Sequence, residues 1–210
     1  NFSINDFVKS LDHLTNKYLV IRTGIISNEK LNYNKNLILD MPFIKHSSLV
    51  SFYILSNCKF YIGSDSGAWT VAYLFKKPVF FINFSLTISQ QQLTNCVNTS
   101  MIFKKIFSKD LNRYLKLSEI IDHNLFGLSS IDDLNKLKLE VHNNTEAEIL
   151  TYIKEMRLVD SQISYLNDEH RNLSDSFWYL IIKKLKLDLP KKKFPIIGYS
   201  FLKNNLNLLR

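Results

Sequence analysis

A chain of 210 residues that is 46% apolar, 13% aromatic and 22% charged can bury one substantial core, which excludes a disordered segment. No apolar run is long enough to cross a bilayer, and no charged leader precedes an apolar stretch, so a soluble protein is expected. The net charge of +8 invites phosphates, nucleic acid or anionic lipid.

A chain rich in Lys, Asn and Ile together carries such an excess without any binding role, and much of it is local, in Lys183, Lys184, Lys186, Lys191, Lys192 and Lys193. The two cysteines, Cys58 and Cys96, lack metal-ligand spacing; Cys58, against an apolar run, is expected as a buried free thiol, which fits a reducing, cytoplasmic setting. The chain opens on Asn1 rather than Met, which reads as a fragment or a processed product.

In chain order, residues 3–16 carry Ile4, Phe7, Val8, Leu11 and Leu14 on one helical face. Tyr18–Ile21 predicts a strand ending at Arg22, and Leu37–Leu39 a second ending at Asp40. Residues 47–56 predict a helix, Lys59–Ile62 a third strand, 67–76 a helix and Val79–Ile82 a fourth, almost wholly apolar strand. Continuous apolar strands alternating with helices of about ten residues predict a parallel α/β sheet covered on both faces. Residues 86–100 read as a long loop, Met101–Phe103 as a strand or turn, Leu117–Ile121 as a short helix and Leu139–Val141 as a fifth strand. Thr145 and Glu148 form a capping box for the next helix. Helices are expected over 160–187, followed by a short closing segment at Pro195–Leu202. The division expected is an α/β domain over 1–158 and a helical extension over 159–210 packed on it.

Chemistry concentrates at Gly63-Ser64-Asp65-Ser66-Gly67, between the third strand and the helix after it. Ligands of open α/β sheets sit beyond the carboxyl ends of the strands. Two glycines admit close backbone approach, two serines add hydroxyls, and the first N–H groups of the helix point outward, together a site for a diphosphate. A bland alternative stands beside it, in which Ser64 or Asp65 only caps the helix.

The stretch SFYILSNCKFYIGSDSGAWTVAYLFKKPVFFIN, Ser51 to Asn83, resembles the C-terminal domain of GT-B glycosyltransferases. Heptosyltransferases have a similar strand ending in Gly, an Asp-Ser/Thr-Gly turn, a short helix and a Lys-Pro-Val strand. Fucosyltransferases of the α1,2 and α1,6 kinds have a similar helix-Cys-strand-Ser-x-Gly-helix unit. Tyr18–Gly24, Asn143–Ile149 and Ile197–Leu202 resemble, in the same order, segments of bacterial surface-carbohydrate glycosyltransferases. The resemblance implies a Rossmann-like open parallel sheet flanked by helices, the C-terminal half of a GT-B fold, with an N-terminal acceptor domain missing from this stretch. It implies a metal-independent transferase that takes a nucleotide diphosphate-sugar and passes the sugar to a surface-glycan or lipid-linked acceptor.

Carried over, Asp65, Ser66 and Gly67 with Gly63 and Ser64 would meet the donor diphosphate or sugar, and Arg22 would clamp the diphosphate. The bland alternative for Arg22 is a surface ion pair. Asp40 would meet base or ribose, or cap the following turn, and Asp65 would meet the sugar or its own turn. His46 is the histidine most worth testing; no general base is assigned. The His-x-Arg motif of the fucosyltransferases is missing, as Val20-Ile21-Arg22 keeps only the arginine, and no Asp-x-Asp or metal spacing occurs, so no metal is expected. A nucleotide-sugar epimerase-like enzyme half is the alternative. Nucleic acid is not expected as a partner. The Lys183–Lys193 stretch beside Phe177 and Trp178 reads as a core-packed helix with a solvated lysine face, or as peripheral contact with the inner face of an anionic membrane.

Overall fold

The computed structural model describes residues 3–24, 29–33, 38–85, 97–123, 125, 131–186 and 194–209. A 3-10 turn over Ile4–Phe7 leads into helix α1 (Val8–Thr15), and strands β1 (Val20–Arg22) and β2 (Ile38–Asp40) follow. Helix α2 (Ser48–Asn57), strand β3 (Tyr61–Gly63), helix α3 (Ala68–Leu74) and strand β4 (Val79–Phe84) form the most regular unit. Next come β5 (Thr99–Phe103), β6 (Lys105–Ser108), β7 (Arg113–Tyr114), α4 (Leu117–Asp122), α5 (Ile131–Lys136), β8 (Leu139–His142) and α6 (Glu146–Lys154). The chain closes through β9 (Leu158–Val159), β10 (Gln162–Ile163), α7 (Asp168–Leu185), β11 (Ile196–Ile197) and α8 (Tyr199–Asn204).

Strands β11, β5, β4 and β3 pair in that order, all parallel. Every residue of β4 and β5 is buried, as strands covered on both faces must be. Alternation sorts their side chains. Phe80, Ile82 and Ile102 pack with Leu11 and Leu14 of α1 and with Ile149, Tyr152 and Ile153 of α6. Val79, Phe81, Met101 and Phe103 pack with Ala72 of α3, Ile121 of α4, and Phe177, Trp178 and Ile181 of α7. The protein is therefore α/β, with parallel strands flanked by helices.

β1 and β2 form a separate parallel ladder in which Arg22 stands opposite Asp40. This pair lies beside β3. Tyr18, just ahead of β1, meets Phe60, just ahead of β3, edge-to-face at 5.0 Å. Val20, Ile38 and Ile62 all pack on the same core. The starts of β1 and β3 thus meet, so Arg22 and Gly63 close their strands at the same end of the sheet.

The capping box at the start of α6 forms as expected: the Thr145 hydroxyl accepts from Glu148 N–H at 3.2 Å, and Glu148 accepts from Thr145 N–H at 2.8 Å. Met101–Phe103, expected as a strand or turn, is a strand, an inner one of the main sheet. Other segments depart from the sequence expectation. Leu139–Val141 pairs antiparallel with β6 in the small sheet β7-β6-β8 rather than extending the parallel sheet. Its Leu139 is buried while Val141 is 40% exposed, the one-sided pattern that antiparallel strands tolerate.

The stretch after 159 holds strands as well as helices. A β9–β10 hairpin turns on Asp160 and Ser161, both at positive φ, and β11 extends the main sheet beside β5. Gly198 follows β11 because nothing larger fits: a Cβ there would lie 2.7 Å from Ile102 Cγ2 and 2.8 Å from Tyr152 Cδ2. Residues 86–96, with Cys96, and Lys191, Lys192 and Lys193 lie outside the described residues.

Candidate functional site

The Gly63–Gly67 turn stands where expected, between β3 and α3. Its two glycines do different things. A Cβ on Gly67 would meet nothing within 4 Å, and Ser66 and Gly67 are both exposed. A Cβ on Gly63 would lie 2.7 Å from Tyr61 Cζ, so the space above Gly63 is taken by the Tyr61 ring. Tyr61 also shares a hydrogen bond with Ser66, and burial pushes its phenol pKa up. The signal for this lay in the spacing: residues i and i+2 of a strand share a face, so Tyr61 can lie over Gly63. Asp65 is occupied within the fold, its Oδ2 accepting from Ser85 N–H just beyond β4 at 3.2 Å. Ser64 is half-buried in the same turn. Trp69, on the first turn of α3, points into the core against Phe81 at 5.2 Å.

Across the same end of the sheet, Arg22 and Asp40 form an ion pair. Arg22 Nη1 donates to both Asp40 carboxylate oxygens at 3.2 Å and to the Glu29 carbonyl at 2.9 Å. The pair is mostly sheltered, with side chains 15% and 18% exposed. Asp40 Oδ2 also accepts from Leu31 N–H at 3.2 Å, which ties the segment after β1 to the end of β2. The Glu29 side chain turns away to the start of the chain, where Ser3, Ile4 and Asn5 donate to it and hold its pKa down.

His46 serves the entry to α2. Its Nδ1 lies 2.6 Å from the Ile44 carbonyl and its Nε2 2.8 Å from Ser51 Oγ. The carbonyl can only accept, so Nδ1 carries the proton and Nε2 accepts from the Ser51 hydroxyl. Thus the structure brings together Arg22 with Asp40, and Gly63 with Ser64, Asp65, Ser66 and Gly67, while His46 is spent on the loop before α2.

Sequence reasoning passed over a buried pair at the end of β4, next to the Asp65–Ser85 contact. Asn83 and Asn144 bond each other's backbones, and Asn83 Nδ2 is buried without a partner. A cleft of about 360 Å³ opens elsewhere, lined by Tyr18, Lys59, Phe60, Met156, Leu158 and Ser161 at the starting ends of β1 and β3. It lies at the opposite end of these strands from the turn.

In α7, Phe177, Trp178 and Ile181 are core residues, Lys184 bonds Asp122 at 2.9 Å and Lys183 lies over the Tyr179 ring. Phe177 and Trp178 therefore face inward, while Tyr179 is exposed. No group of three or more His, Cys, Asp or Glu among the described residues is placed to hold a metal ion. No described helix is long and apolar enough to cross a membrane.

Comparison with protein-family models, with characterised proteins and with solved structures returned no match.

Proposed function

We propose that this chain binds a nucleoside diphosphate-sugar at the carboxyl end of its parallel strands and is the donor-binding, Rossmann-like half of a GT-B glycosyltransferase. One observation carries the reading. From β1 the chain moves outward to β2 on one side, and from β3 it moves through β4 to β5 on the other. The crevice left where the strand order reverses is the usual ligand position of open α/β sheets. On this reading Arg22, at the end of β1, would line one side of that crevice and the Ser66–Gly67 turn, at the end of β3, the other. The open space at Gly67 suits the close approach of a phosphate, and the resemblance of Ser51–Asn83 to glycosyltransferase sequences points the same way.

In the transfer, the bond from the anomeric carbon to the phosphate oxygen breaks, the diphosphate keeps the electron pair, and an acceptor hydroxyl takes its place. Backbone N–H groups and a guanidinium aimed at that diphosphate lower the barrier to its departure. Arg22 is engaged by Asp40, so a diphosphate would compete with Asp40 for it. Neither a general base nor the donor sugar is assigned.

Calorimetric titration of the chain with UDP, GDP, ADP and CMP tests the proposal. Saturable binding of at least one nucleotide, lost in Gly67→Val while the circular dichroism spectrum stays the same, is the expected result. Silence with all four nucleotides, or binding indifferent to Gly67→Val, overturns it.

A further inference from the structure

Helix α2 has no polar face. Leu49, Val50, Phe52, Tyr53, Ile54 and Leu55 are six of its ten residues, and none of the ten is charged. Only Leu55 of these six is buried. Leu49 and Tyr53, one turn apart and therefore on one face, are 73% and 67% exposed. Helix α3 continues the surface with Leu74, 69% exposed, and Phe75 just past its end. Phe52 and Phe75 touch edge-to-face at 5.6 Å, which joins the two helices into one apolar face. Phe43 and Ile44, on the way into α2, are exposed as well. A helix apolar all round belongs in a core or in lipid, and a contiguous apolar surface of this kind marks a contact.

The charges around the face say with what. Lys45 leads into α2, while Lys76 and Lys77 follow Phe75 directly. None of the three meets a carboxylate within ion-pair range among the described residues. From Met41 to Ser64 the sequence holds no acidic residue at all. We infer that the α2–α3 face docks on an anionic lipid bilayer, its apolar side chains entering the interface while Lys45, Lys76 and Lys77 meet headgroup phosphates.

A second copy of the chain fits less well. A two-fold interface sets the same patch against itself and would bring lysine rim against lysine rim with no carboxylate to answer them. A bilayer surface supplies apolar depth and negative charge together. The inference stands apart from the nucleotide proposal, since it uses none of the residues at the Gly63–Gly67 turn.

Flotation of the full chain with vesicles of phosphatidylcholine, alone or mixed with phosphatidylglycerol, tests it. The chain floats with the mixed vesicles and not with phosphatidylcholine alone, and salt weakens the association. Each lysine near the surface is worth about fivefold in partitioning, so Lys45→Glu/Lys76→Glu should reduce it by well over tenfold. Leu49→Ser/Tyr53→Ser/Leu74→Ser should abolish it, because these side chains are exposed and the variant keeps its circular dichroism spectrum. Lys183→Glu/Lys184→Glu on α7 should leave it unchanged. The inference is overturned if the wild type ignores mixed vesicles, or if the α2–α3 variants float as well as it does. It is equally overturned if light scattering finds a dimer that the serine variant converts to monomer, since the face is then covered by a second copy.

Discussion

Asn83 and Asn144 hold each other's backbones. The Asn83 N–H donates to Asn144 Oδ1 at 2.8 Å, the Asn144 N–H donates to Asn83 Oδ1 at 2.5 Å, and Asn144 Nδ2 reaches the Phe103 carbonyl at 2.6 Å. Asn83 sits at φ 50°, a left-handed conformation that asparagine tolerates better than most side chains. There the β4–β5 register shifts between Phe81 and Phe84. The asparagine pair satisfies backbone groups that this irregularity frees, and it ties the end of β4 to the start of α6. Asn144→Ala leaves the Asn83 N–H and the Phe103 carbonyl buried and unpaired. At about 1–3 kcal/mol for each such group, a loss of about 2–6 kcal/mol is expected. A urea titration checks it, with a lower midpoint at an unchanged slope.

The two glycines of the β3–α3 turn should respond differently to a single methyl group. Gly67 has φ −57° and open space where a Cβ would stand, so Gly67→Ala should alter stability by no more than about 0.5 kcal/mol. Gly63→Ala forces the Tyr61 ring off its seat and should cost about 1–3 kcal/mol. Thermal unfolding separates the two. A marked loss of stability in Gly67→Ala would mean that the turn is packed against something, which contradicts its open surroundings.

The strand–helix alternation up to β4 was legible because each strand there is a short apolar run and each helix has a clear boundary, such as Pro78 after α3. The small antiparallel sheet was not. β6 and β7 together are six residues, interleaved with charged Lys105 and Arg113, and the strands leave no continuous apolar signal. The β9–β10 hairpin was hidden for another reason: its turn uses Asp160 and Ser161 at positive φ where Asn-Gly would have announced it. At the site, the Gly63–Gly67 turn and the positions of Arg22 and Asp40 at strand ends could be read from the sequence; that the two pair could not. The occupation of Gly63 by Tyr61, and of Asp65 by Ser85, depends on side-chain directions across the fold and on a neighbouring strand.

The Arg22–Asp40 ion pair offers a test with opposite signs at its two ends. If a diphosphate competes with Asp40 for the guanidinium, Asp40→Asn should tighten nucleotide binding, because a negative competitor is gone. Arg22→Ala should weaken it. Both should also destabilise the fold, since each removes one charge of a sheltered ion pair; a double-mutant cycle should return about 1–3 kcal/mol of coupling. Weaker binding in both variants would mean that the pair only supports the fold.

His170 makes the stability of the fold depend on pH. The ring is 4% exposed; Nε2 lies 2.6 Å from the Ile197 carbonyl, and Nδ1 accepts from Leu166 N–H at 3.2 Å. That pattern fits the neutral ring with its proton on Nε2, since a protonated Nδ1 would face an N–H. Burial holds the pKa below its ordinary value, against the smaller opposing pull of the Ile197 carbonyl and Glu155. The sign follows. Above the unfolded value of about 6.5 neither state holds the extra proton, and His170 adds no pH dependence. Below it the unfolded chain takes up a proton that the native chain refuses, so stability falls as pH drops, by at most about 1.4 kcal/mol per pH unit, until the lowered native pKa is reached. Glu119 is held at about 2 by Arg113, and its contribution fades only below the ordinary carboxylate range, so it does not overlap. Urea midpoints of the wild type and His170→Gln at about pH 5.5, 6.5 and 7.5 isolate the effect, because every other group is common to the two. The difference between the two should shrink toward acid pH, and a difference constant across the range would show that His170 is not the group responsible.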